Sequence, residues 1–289
     1  MKKNSKSIAF LCAFLAFFLL LDGVICYLGE HHSPIQVNDY EIARAAHPEK
    51  VWDKVFFGSS AVTSAYREDV SESGYIGLGL DYGTVGDLWE MIRQGHITLG
   101  SDLVVGLNLF SLYDGLKTDP SYLWHRGPLE PYTYFHREKL KQIGTILLND
   151  LQNKDVWYDK GSKELYYGSK SQGEMEWRMK TYWEEYFNEP MEDFRKNLKA
   201  LEKTADWCQK HGVRMRVVWM QYNPTVERPQ RLDDLMEAVA AICEPRGIEI
   251  LDLSTAFPKE CFHDVNHLNY EYGAYVFTRT IDSWLMEES

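Results

Sequence analysis

The apolar pattern of the chain has two regimes. From Ile8 to Leu21 every residue is apolar, and after Asp22 and Gly23 the apolar character resumes through Leu28. The span Ile8–Leu28 is long enough to cross a bilayer as a helix, which takes roughly 20 residues. Lys2, Lys3 and Lys6 precede it, which keeps the N-terminal side in the cytoplasm and sends the remainder outside. The uninterrupted run of 14 residues also suits a cleaved signal peptide, but no Ala-x-Ala site follows. Cys26 is preceded by Ile25 and not by a small residue, which argues against a lipoprotein signal. The expectation is a retained single-pass anchor over residues 1–29, a linker over 30–50, and a folded domain over 51–289 outside the plasma membrane.

Beyond the anchor the period changes. Short apolar runs at Val55–Phe57, Tyr75–Leu80, Leu103–Leu107, Arg214–Trp219 and Ile248–Leu253 read as strands. Between them the spacing becomes helical. Val85, Leu88, Trp89 and Ile92 share a face over Gly83–Gln94, and Phe194, Leu198, Leu201, Ala205 and Cys208 do so over Met191–Lys210, with Gly212 as a cap. Further helices are predicted over Arg228–Cys243 and Tyr270–Met286, and Gly58-Ser59-Ser60 turns the first strand into another. Strands alternating with helices predict a mostly parallel sheet covered on both faces. Residues 115–190 break this rhythm. They hold no clear strand, include a predicted helix from about His136 to Asn153, and carry many aromatics, among them Trp124, Tyr166, Trp177, Tyr182 and Tyr186. An insertion folded over the top of the sheet is expected, either covering its edge or forming a groove that stacks on sugar rings.

Composition narrows the function. The 289 residues carry a net charge of −12, and residues 30–289 have 28 basic against 42 acidic side chains, a net of −14. A nucleic-acid ligand is excluded, since nothing concentrates positive charge. Anionic lipid should repel the domain. Five cysteines, three of them beyond the anchor, are too few for a disulfide framework.

In open α/β sheets, ligands bind beyond the carboxyl ends of the strands. Four motifs fall there: Phe57-Gly58-Ser59-Ser60, Asp81-Tyr82-Gly83-Thr84, Gly106-Leu107-Asn108 and Asp264-Val265-Asn266-His267. Singly, each reads as a turn or a helix cap. In this order they supply a serine, backbone and amide donors for an oxyanion, and an Asp–His pair, the set that acyl transfer needs. No cofactor is called for. The loop Gln221-Tyr222-Asn223 after the fourth strand lies on the same side and is a candidate substrate contact. His263 and His267 with Asp264 would suit a metal only on a helix and with a fourth ligand, so no metal is expected. Cys261, near the Asp–His pair, is a poor nucleophile without a histidine of its own.

The order Gly-x-Ser, Gly, Gly-x-Asn, Asp-x-x-His resembles the SGNH (GDSL-type) hydrolases over roughly residues 51–110 and 212–285. The resemblance implies a three-layer α/β/α sandwich with a five-stranded parallel sheet. It implies Ser60 as nucleophile, His267 as base and Asp264 as its orienter. The Ser60 amide, Gly83 and Asn108 would form the oxyanion hole. Two positions depart from the family: Ser59 stands where Asp usually precedes the nucleophile, and Leu109 where Asp usually follows the asparagine. Ser59 is therefore a rival nucleophile. The Gly-Ser-Ser variant behind an N-terminal anchor is similar to the D-alanyl transfer protein of teichoic-acid modification. That similarity implies an esterase or O-acyltransferase acting on acylated cell-surface polymers beside a membrane-bound O-acyltransferase. The alternative is a non-catalytic protein that binds a polysaccharide or scaffolds such an enzyme.

Overall fold

The computed structural model describes residues 2–31, 36–126, 138–152 and 166–287. Its contacts divide the chain into two units, 1–38 with 120–159, and 39–119 with 160–289. The first contains helix α1 (Lys2–His31) and helix α6 (Glu138–Leu151), which touch each other. Within α1 the stretch Lys6–Leu28, with mean hydropathy 2.6, is long and apolar enough to cross a membrane. In the same unit the Asn38 amide donates to Ser121 Oγ (2.8 Å), and Tyr122 stacks on Trp124 at 4.5 Å.

The second unit is a five-stranded, all-parallel sheet in the order β2-β1-β3-β4-β5. The strands are β1 (Trp52–Ser59), β2 (Ile76–Leu80), β3 (Leu99–Leu107), β4 (Arg214–Trp219) and β5 (Glu249–Asp252). The helices are α2 (Asp39–Ala46), α3 (Ser60–Ala65), α4 (Val85–Gln94), α5 (Leu109–Leu112), α7 (Gln172–Tyr182), α8 (Arg195–His211), α9 (Gln230–Cys243) and α10 (Gly273–Leu285). From β1 the chain steps one way to β2, and then returns past β1 to β3, β4 and β5. Right-handed crossovers put helices that step in opposite directions on opposite faces. Accordingly α3 packs with α10, while α4 packs with α8 and α8 with α9. This is the expected α/β/α sandwich. Its strand order reverses between β1 and β3, and crevices at such reversals receive ligands.

The predicted strands are all present, β1 and β3 extending past their apolar cores to pair Trp52 with Leu99 and Lys54 with Asp102 across a register shift. The predicted helix over Met191–Lys210 begins with one 3₁₀ turn, Met191–Phe194, and ends at His211, where Gly212 takes the left-handed conformation (φ 70°). The stretch 30–50, expected to be linker, contains α2. Tyr40 of that helix is buried and its hydroxyl donates to the His96 carbonyl (2.8 Å), while Asp39 accepts the Asp81 N–H (2.9 Å). The segment 115–190 has no strand among its described residues, and it is split between the two units at 119/120 and 159/160. Tyr132, Tyr134, Phe135, Trp157 and Tyr158 lie outside the described residues.

A row of glycines seats α3. Gly79 of β2, Gly58 of β1 and Gly106 of β3 are in register across three strands. A Cβ on Gly79 would come within 2.8 Å of Thr63 Cα, and one on Gly58 would collide with Val62. The missing side chains let α3 lie almost on the sheet, which fixes its first residue, Ser60, at the end of β1. Gly79→Ala is expected to destabilise the fold by about 1–3 kcal/mol through overpacking, checked by thermal melting. An unchanged melt would mean that α3 shifts without cost.

Candidate active site

Ser60 is the first residue of α3. Its Oγ lies 2.9 Å from His267 Nε2. His267 Nδ1 lies 2.8 Å from Asp264 Oδ1, which also accepts the backbone N–H of His267 (3.0 Å) and of Asn266 (3.2 Å). Two backbone donors and one ring nitrogen thus meet at one carboxylate oxygen. The other oxygen, Oδ2, is 3.3 Å from Arg178 Nη1. Burial alone would raise the Asp264 carboxyl, but the His267 charge and hydrogen bonds, with Arg178, outweigh it and hold the group far below the carboxylate range. The pair thus favours an ionised Asp264.

Ser59 is placed differently. It is buried and caps α3, its Oγ accepting the Ala61 N–H (3.4 Å) and an N–H of the Asn108 amide (3.2 Å). The hydroxyl that meets the imidazole belongs to Ser60.

The remaining motif residues lie nearby, and part of their hydrogen-bonding capacity is already engaged. The Gly83 N–H donates to the Leu80 carbonyl (2.8 Å) in the turn after β2. Asn108 caps α5, its Oδ1 accepting the Ser111 N–H (2.8 Å) while its amide reaches Ser59, so one of its two amide hydrogens remains. Gln221, Tyr222 and Asn223, expected to face substrate, are instead turned beneath the Asp–His loop. The Gln221 amide donates to Asn266 O (3.0 Å), the Asn223 amide to Asp264 O (3.0 Å), and the Asn223 N–H to Val265 O (2.8 Å). Gln221 and Asn223 thus hold the loop's backbone, the Tyr222 N–H donates to Ser254 O (2.9 Å), and all three are buried.

The Asp–His loop is not helical. Phe262 and Leu268 pair across it as an antiparallel bridge. His263 lines the cleft over Ser60 and His267 but turns its Nδ1 to the Gly168 carbonyl (2.8 Å), and burial lowers its pKa. Among the described residues no cluster of three or more ligating side chains could hold a metal. Cys261 is buried in the core beside α10, and burial pushes its thiol up, away from thiolate chemistry.

A cleft of about 490 Å³ opens over Ser60 and His267. Its far wall comes from residues the four motifs do not contain. Tyr166 stacks on the His267 ring at 4.5 Å. Its segment is fastened to the Asp–His loop through Tyr270 N–H to Tyr166 O (3.0 Å), Lys170 N–H to His263 O (2.7 Å) and Ser169 Oγ to Phe262 O (2.8 Å). Helix α7, started by a Ser171–Glu174 capping box, brings Trp177, Arg178 and Tyr182 over the serine. Phe110 of α5 meets Tyr182 and Tyr186 edge-on at 4.9 and 5.2 Å. Only the aromatic density of 115–190 signalled this wall in the sequence. Tyr82 also lines the cleft and is half exposed, in a left-handed conformation (φ 53°) that a bulky residue adopts at a cost. Beside it, burial and the nearby Asp39 charge push the Asp81 carboxyl up to about 6, with the His267 charge opposing. A second cleft, of about 570 Å³, lies between α2, α3 and β2. Its histidine, His47, is paired with Glu68 (2.8 Å), and no serine lines it.

No protein-family model matches the chain, and no curated protein matches it. Among solved structures, the chain is similar to one named as a putative acylhydrolase from Bacteroides fragilis, with 13% identity and a TM-score of 0.43 over 83% of this chain and 88% of that one. A likeness so distant assigns no role to any residue here.

Proposed function

We propose that the chain is a serine-dependent esterase or O-acyltransferase of the SGNH type, working through an acyl-serine on Ser60. One observation carries the reading: the continuous relay from Ser60 Oγ to His267 Nε2 (2.9 Å) and from His267 Nδ1 to Asp264 Oδ1 (2.8 Å). His267 takes the Ser60 proton as the oxygen attacks an ester carbonyl, and later returns it to the departing alcohol. Asp264 keeps the imidazole oriented and stabilises its charge. The oxyanion rests on the Ser60 amide, which as the first helical residue has no partner within α3, and on the remaining hydrogen of the Asn108 amide. Gly83 joins them if its turn to Leu80 opens.

The acyl group then passes to water or to a sugar hydroxyl. The exposed faces of Trp177 and Tyr82 beside the serine suit sugar rings, which supports an acylated cell-surface polymer as substrate. α1 would hold the enzyme at the outer face of the plasma membrane, within reach of a membrane-bound O-acyltransferase as partner.

Fluorophosphonate labelling of the full chain in detergent tests the reading. Wild type and Ser59→Ala are expected to label, and Ser60→Ala to be blank. A folded, unlabelled wild type would leave a non-catalytic polysaccharide-binding or scaffold role. Labelling that survives Ser60→Ala would move the nucleophile elsewhere.

A further inference from the structure

Helix α7 buries no side chain along its length, yet it reaches the most buried charge of the site. Arg178 places Nη1 3.3 Å from Asp264 Oδ2, on the oxygen that His267 does not use. Its own side chain is 30% exposed, against 1% for Asp264. A guanidinium on a lightly packed surface helix is thus spent on a carboxylate at the bottom of the cleft.

We infer that Arg178 is a positioning residue for the Ser60 reaction: by holding Oδ2 of Asp264 and sharing its charge with His267, it ties the state of the base to the docking of α7. The inference rests on the acyl-serine reading. Coulomb attraction between Asp264 and a protonated His267 favours the imidazolium, and a second cation on the same carboxylate weakens that preference. Arg178 thus shares the Asp264 charge that would otherwise face the imidazole alone. The other ionisable groups around the cleft are Asp81 and Tyr82 after β2, Tyr166, Lys170, Tyr182, Glu185 and Tyr186 from the wall, Tyr222 beneath the loop, and His263 within it. Among the described residues, Arg178 is the permanent cation paired with Asp264 itself.

The test is the pH dependence of fluorophosphonate labelling rate, measured on the full chain in detergent for wild type, Arg178→Met and Arg178→Lys. Arg178→Met is expected to move the acid limb of the profile upward by about half a unit to one unit. Below that limb the rate then falls roughly three- to tenfold. Arg178→Lys keeps the charge and should return the limb to its wild-type position. If the arginine merely packs α7, both variants slow at every pH and the limb stays where it was, which overturns the inference. A wild-type chain that never labels would overturn instead the acyl-serine reading beneath it. The partial exposure of Arg178 on a helix without buried residues makes unfolding by either substitution a poor alternative, and a thermal melt of each variant checks that.

Discussion

His267→Ala is expected to cut turnover of an activated ester by about 10⁶-fold, the scale at which a serine nucleophile loses its base. Asp264→Asn should cost much less, about 10²–10³-fold, for a reason particular to this loop. An Asp-to-Asn change in such a relay usually does its damage by letting the amide NH₂ face the imidazole and force the wrong tautomer. Here Oδ1 of Asp264 also receives the backbone N–H groups of Asn266 and His267. An asparagine must therefore turn its carbonyl toward those donors, and the Nδ1–H tautomer survives. Its NH₂ is left against Arg178, so what disappears is the negative charge. Initial rates with a p-nitrophenyl ester, with circular dichroism to confirm folding, decide the matter. Equal losses in the two variants would show that the backbone donors do not fix the side chain, and an active His267→Ala chain would remove His267 from the reaction.

The parts of this site that could be read from sequence are those encoded locally. Three of the four motifs end an apolar run with turn or cap residues, so their positions at strand ends follow from a few neighbouring positions; Asp264–His267 lies twelve residues past the end of β5 and is legible only by its Asp-x-x-His spacing. The sheet direction follows from the same alternation. What could not be read depends on register and on distant segments. Gly58, Gly79 and Gly106 look like ordinary glycines until pairing puts them in one row under α3. Gln221, Tyr222 and Asn223 sit after a strand like the other motifs, but three hydrogen bonds to the 264–266 backbone draw them under the loop. Tyr166 and Arg178 come from a segment without strand periodicity, and only tertiary structure brings them to His267 and Asp264, about 100 positions further along the chain. Helix α2 is short and surrounded by polar sequence. It owes its place to Tyr40 and Asp39, both bonded to residues more than 40 positions away.

Arg216 gave no sequence signal either, since an arginine in β4 reads as a solvent-facing residue, and it carries the largest expected stability effect. It is almost completely buried. One amino group donates to the Trp284 carbonyl (2.6 Å); the other donates to the Leu285 carbonyl (3.1 Å), Asp102 Oδ2 (3.2 Å) and the Tyr75 hydroxyl. Its guanidinium also lies 4.5 Å over the Trp284 ring. The side chain therefore joins β3, β4 and the residue before β2 to the last turn of α10, the helix that packs on α3. Taking two charges out of water is expensive, so the intact pair contributes little net stability, but losing one partner strands the other. Arg216→Met should destabilise by about 3–5 kcal/mol, because buried Asp102 loses its nearest cation and keeps, among the described residues, only Tyr75 as a close partner, and the Leu285 carbonyl loses this donor. At about 2–4 °C per kcal/mol for a domain of this size, the midpoint should fall by roughly 6–20 °C. Adding Asp102→Leu removes the stranded charge, so the double variant should recover much of that loss. Thermal unfolding of the three chains in detergent, followed by circular dichroism, measures this. A double variant that melts below Arg216→Met would mean that Asp102 is served by Arg214, 3.9 Å away, and that the arginine's main contribution is its hold on the end of α10.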